Sequence, residues 1–119
     1  MKAFMTQKEA AHLLREVDPD DILVAARMHY PSGIHDEWID TLEELMWFLQ
    51  PASDRDIPGV SIEGLASWIE NVVGDTALAE EVRSCEKSHS NFVDACEAAY
   101  YKVETRVKHL QEIARGGVV

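Results

Sequence analysis

The side chains that could do chemistry are densest in CEKSHSNFVDAC, residues 85 to 96, where two cysteines bracket a histidine. Such a set can be a metal site, a disulfide or plain core. On one continuous α-helix Cys85, His89 and Cys96 would lie within ~40° of one another, with the cysteines ~16 Å apart along the axis. A disulfide needs Cα atoms within ~7 Å, and a zinc ion with Zn–S bonds of ~2.3 Å cannot reach both sulfurs. The cysteines therefore read as core positions on a seam. Leu78, Val82, Cys85, His89, Phe92, Cys96, Ala99, Val103, Val107, Leu110 and Ile113 follow one another in steps of three and four. A break at Ser88-His89-Ser90-Asn91 is preferred to one long helix, with Ser90 able to cap a helix starting at Asn91. Unbroken, residues 76 to 115 would span ~60 Å, in a domain whose radius of gyration should be only ~13–14 Å.

Two Glu-x-x-His pairs, Glu9–His12 and Glu86–His89, have the spacing that di-iron bundles use for metal ligands. They do not converge here. His12 lies ~150° from the apolar stripe of its helix, whereas His89 lies on its stripe. His35-Asp36-Glu37 is a polar cluster that could serve as acid and base, but it reads more simply as a solvated turn entering a helix. No metal site is expected; if one existed, its ligands would be His35, Glu86 and His89. His29-Tyr30 and His109 read as structural or exposed. There is no Gly-rich phosphate loop, no Gly-x-Ser-x-Gly and no Cys-x-x-Cys. Neither cysteine has a dense basic setting nearby in sequence of the kind that would activate a thiolate. No catalytic residues and no cofactor are assigned, and the expectation is that the protein is not an enzyme.

The elements that would position these groups are helices. Thr6 and Glu9 form a capping-box pattern ahead of Ala10, Leu13, Leu14 and Val17. Asp18-Pro19-Asp20-Asp21 ends that helix. The run ILVAARMHY, residues 22 to 30, is apolar without a clear period; it reads as a buried helix, with a strand as the alternative. Asp40 or Thr41 caps the next helix, which ends near Gln50-Pro51. Ser61 caps another, with Ile62, Leu65, Ala66, Ile69, Val72 and Val73 on one face and Gly74 at its end. Asp75 caps a helix from Thr76 to about Lys87, and a long last helix stops at Gly116-Gly117. Thr6, Thr41 and Thr76 recur at helix starts without any repeat consensus. The expectation is one all-α domain, residues 1–119: a compact bundle of five or six helices with a long C-terminal helix, and helix 41–50 at its centre.

Segment 61 to 83, SIEGLASWIENVVGDTALAEEVR, resembles a small prokaryotic domain family of unknown function through Trp68, Ile69, Gly74, Asp75, Leu78 and Ala79. AAHLLREVDPDDI looks like that family's first helix and exit turn. The resemblance implies a cytosolic prokaryotic protein and assigns no activity.

Charge narrows the function classes further. There are 22 acidic against 11 basic residues in 119, a net charge of −11, which disfavours direct binding to phosphate backbones. The acids are scattered, as in a solvated surface. No apolar run approaches the ~18 residues of a membrane span. The N-terminus lacks a signal-peptide core, so a cytoplasmic location is expected. In LEELMWFLQ, Leu42, Leu45, Met46 and Leu49 make a core stripe. Trp47 points ~140° and Phe48 ~240° away from Leu42. Trp47, Phe48, Tyr100 and Tyr101 are the expected contact residues for a protein partner or a second copy of the chain. The expected function is that of a small acidic adaptor, regulator or inhibitor of a basic partner. A metal- or ligand-binding bundle and a DNA mimic are the alternatives.

Overall fold

A computed structural model of the protein describes residues 5–29, 33–50, 56–59, 61–88 and 91–116. Helix α1 (Gln7–Leu14) starts where Thr6 accepts the Glu9 N–H and Glu9 answers by accepting the Thr6 N–H. This capping box satisfies two of the donors that every helix start leaves open. Pro19 opens a single 3₁₀ turn, Pro19–Asp21. The chain then becomes strand β1 (Leu23–His29), turns back as β2 (Gly33–Ile39), and after α2 (Leu42–Leu49) adds β3 (Asp56–Gly59). β1 is central, antiparallel to both neighbours, in the order β2-β1-β3.

The sheet corrects the all-α expectation, although the molecule is mostly helical. Residues 23–29 are a strand, not the buried helix read from ILVAARMHY. Strands declare themselves by alternation, and here both faces carry apolar side chains: Ala25 is buried on one, Val24 exposed on the other. The period-2 signal is thereby erased. The inner face packs on α2. There Arg27 donates to the Glu37 carboxylate and to the Phe48 carbonyl, with its guanidinium 4.8 Å from the centre of the Phe48 ring.

The helical part follows its punctuation closely. Thr41 caps α2 by accepting the Glu44 N–H, and Ser61 caps α3 (Ile62–Trp68) by accepting that of Gly64. α3 runs on through a π-helical turn, Ile69–Val73, and ends at Gly74. That residue has φ +94°, a left-handed conformation that costs other L-residues about 1–2 kcal/mol. Asp75 then caps α4 (Thr76–Ser88) by accepting the Leu78 N–H at 3.2 Å. α5 (Phe92–Ala114) starts one residue later than expected, capped by Asn91, whose side chain accepts the Asp94 N–H. Thus α4 and α5 are separate helices, and they pack together as a hairpin.

The seam read from the sequence is the core of that hairpin. Leu78, Val82 and Cys85 on one arm and Cys96, Ala99, Val103, Val107, Leu110 and Ile113 on the other are all buried. The hub of the bundle is α5, against which α1, α2 and α4 all pack, and not α2. The radius of gyration is 14.6 Å, close to the ~13.5 Å of a compact chain of this length. Among the described residues no helix is long and apolar enough to cross a membrane.

Candidate interaction surface

Side chains alternate along a strand, so the register of β1 and β2 sorts the hairpin into two faces. Val24 is paired with Trp38, Ala26 with Asp36, and Met28 with Ile34. On this outer face Trp38 is 69 % exposed, Ile34 66 % and Val24 52 %. β-branched and aromatic residues are what a strand prefers, but on an antiparallel sheet the solvent side ordinarily carries polar ones. Asp36 stands exposed between Ile34 and Trp38 on the same face. Asp18, Asp20 and Asp21, all exposed, precede the end of β1 that carries Val24. Among the described strands β2 is also an edge, so one side of its backbone is unpaired.

Contacts on the inner side tie this surface to the rest of the chain. Arg27 is clamped by Glu37 and by the Phe48 carbonyl. The Trp68 indole N–H donates to the Asp21 carbonyl at 2.8 Å, and the Val17 N–H to the Asp40 carbonyl at 2.8 Å. The hairpin is therefore tied down just before β1, at Asp21, and just after β2, at Asp40.

The four aromatic residues expected at a contact surface divide evenly. Trp47 and Tyr101 are exposed, but Phe48 (2 %) and Tyr100 (8 %) belong to the core. Phe48 is covered because the hairpin closes over the side of α2 that the sequence reading left open. Tyr100 packs edge-on against Tyr101 with ring centres 5.1 Å apart, and its hydroxyl donates to Glu104 at 2.7 Å. That hydrogen bond, then burial, pushes the Tyr100 phenol up from its ordinary value.

The groups considered for metal or catalysis are not assembled. Glu86 is exposed on α4. His89 and the side chain of His35 lie outside the described residues. Among the described residues no group of three or more His, Cys, Asp or Glu side chains could hold a metal ion. Glu9 is engaged in the α1 capping box. Cys85 and Cys96 are buried. Burial pushes both thiols up, Cys96 to about 11, so neither is poised as a nucleophile near neutrality.

Val24, Ile34 and Trp38 were missed by sequence reasoning. In IHDEWI one phase carries Ile34, Asp36 and Trp38 and the other His35, Glu37 and Ile39, so neither phase is purely apolar, and the His-Asp-Glu triplet reads as a turn. Compared with models of known protein families, with curated proteins and with solved structures, the chain matches none.

Proposed function

We propose that the protein acts by protein–protein contact and not by catalysis, docking a basic segment of a partner on the outer face and edge of the β1–β2 hairpin. The observation that carries this is the exposed cross-strand cluster Val24, Trp38 and Ile34. Trp47, Phe92, Val93 and Tyr101 are exposed elsewhere, but Val24 and Trp38 are direct cross-strand partners with Ile34 on the same face, and such a patch marks an interaction site. The partner's charge follows from the setting. A second copy of the chain would bring another −11 against this one's −11, whereas a lysine or arginine can sit over the Trp38 ring beside the Asp36 carboxylate. The proposed setting is the cytosol.

The available energy sets the kind of complex. Fully burying a large apolar side chain is worth about 1.5–3 kcal/mol. These three have half to two-thirds of their surface still to lose, so together they supply about 4 kcal/mol. Micromolar affinity needs about 8 kcal/mol. The rest must come from backbone hydrogen bonds along β2 and from charge, which points to a reversible contact.

The test is selection of displayed random peptides against the intact protein. Enriched peptides should alternate apolar residues with lysine or arginine, and Trp38→Ser should reduce their binding at least tenfold. Enrichment of acidic peptides, or binding indifferent to Trp38→Ser, would refute the proposal.

A further inference from the structure

A cleft of about 470 Å³ opens between α1 and the start of α4, on elements other than the hairpin. Its walls are Met5, Leu13 and Gly74 on the apolar side and Lys8, His12 and Arg106 among the polar groups. That volume lies within the ~300–1,000 Å³ range of small-molecule sites.

Arg106 is the fixed point. Its Nε and Nη2 donate to the two carboxylate oxygens of Asp75 at 2.7 and 3.1 Å, while the same carboxylate caps α4. A guanidinium has five N–H donors. Two are spent on Asp75, and among the described residues the other three have no acceptor. The pair with Asp75 locks the plane, so these donors are presented without further ordering. Lys8 makes no ion pair among the described residues, nor does the His12 ring accept or donate a hydrogen bond there. In a chain with twice as many acids as bases, uncommitted cationic and donor groups converging on one cleft stand out.

Of the two acids facing the cleft, Asp75 is neutralised by Arg106, while Glu9 accepts the Thr6 N–H and keeps its charge, which leaves Lys8 to offset it. Arg15 donates to the carbonyls of Val72 and Val73 at 2.8 and 3.2 Å, which removes the negative end of the preceding helical turn from play. At Gly74 an added Cβ would meet only Leu13 Cδ2, at 4.0 Å, so the wall there is open.

We infer that this cleft binds a small monocarboxylate with an apolar tail. The carboxylate is taken by Arg106 and Lys8, with His12 as an additional donor, and the tail lies on Met5 and Leu13. Planar two-point recognition of a carboxylate is what a guanidinium does best.

The test titrates hexanoate, hexylamine and inorganic phosphate into the ¹⁵N-labelled protein and follows amide and arginine Nε–H shifts. Hexanoate should saturate, with shifts concentrated in α1, Gly74 and Arg106, and the two other probes should bind at least tenfold more weakly. Lys8→Ala and His12→Ala, both at exposed positions of α1, should keep the fold; the first should weaken hexanoate at least fivefold. No saturation by ~20 mM hexanoate, or binding unchanged in both variants, would overturn the assignment. Phosphate or hexylamine binding as tightly as hexanoate would overturn it too, since the tail or the charge would then play no part. The outcome is independent of the peptide experiment, because the hairpin contributes nothing to this cleft.

Discussion

Asp75 joins two halves of the helical layer, and its removal should be the most damaging single change outside the apolar core. Its side chain is 2 % exposed, accepts the Leu78 N–H that opens α4, and receives two hydrogen bonds from Arg106 of α5. In Asp75→Ala the lost cap costs about 1 kcal/mol. Breaking a buried ion pair from one side costs about 3–5 kcal/mol. Arg106 is 23 % exposed, and water can recover part of that, so about 2 kcal/mol is expected from the pair. The sum is about 3 kcal/mol, a large share of the ~5–15 kcal/mol by which such domains are stable.

Two further variants separate the contributions. Asp75→Ser keeps an oxygen for the Leu78 N–H and should cost about 2 kcal/mol. Arg106→Met strands the carboxylate and should cost a similar amount, while the double variant should cost less than the sum by at least about 1 kcal/mol. The assay is urea unfolding followed by far-UV circular dichroism, with the m-value required to stay constant. If Asp75→Ala costs under about 1 kcal/mol, or the double variant is additive, the joint between α4 and α5 has been assigned to the wrong residue.

Other consequences follow from the same geometry. At pH 8 Cys96 in the folded protein, with its thiol near 11, should react with iodoacetamide about two hundredfold more slowly than a thiol of ordinary pKa ~8.5; equal rates in native and guanidinium-unfolded protein would contradict its burial. Glu63 is held below the usual carboxylate range, first by its hydrogen bond from Arg83 and then by that from Ser67. Its contribution to stability is therefore present above that range and lost as pH falls through the lowered value. Arg83→Gln should make stability less dependent on pH between about 5 and 3, and an unchanged slope would show that the Arg83 cluster with Glu63, Glu70 and Glu80 is idle. Ile34→Thr and Trp38→Thr remove exposed side chains from the sheet and should shift stability by no more than about 0.5 kcal/mol, whereas a loss above about 2 kcal/mol would mean that these residues are buried within the monomer.

Helix ends were legible wherever a side chain does the capping locally. Thr6 with Glu9, Thr41, Ser61, and Gly74 followed by Asp75 all sit where a short-range reading puts them, because a cap is settled by residues within one turn. The α4–α5 seam was legible for a related reason: its spacing belongs to single helices, and only the break within residues 88–91 had to be argued, from size and from the cap-forming residues there. The partners were not. Nothing in the spacing says that Asp75 meets Arg106 across 31 positions, or that Lys8 and His12 look toward them.

One misreading accounts for most of the rest. Taking residues 22–30 as helix removed the cover from α2, which left Phe48 on the surface. It also made His35-Asp36-Glu37 a solvated turn entering a helix and left Trp38 out of the expected contact residues. The hairpin restores both: Phe48 goes under Arg27, and Trp38 comes out beside Val24. The cause lies in the physics of the site. A strand with one polar face is recognisable by alternation, but β1 carries apolar residues on both sides, and among the described residues only the inner side has a layer packed against it. A short apolar run without a period is what a strand with apolar residues on both its buried and its exposed face looks like in sequence. The feature that concealed the strand is the feature on which the proposed interaction rests.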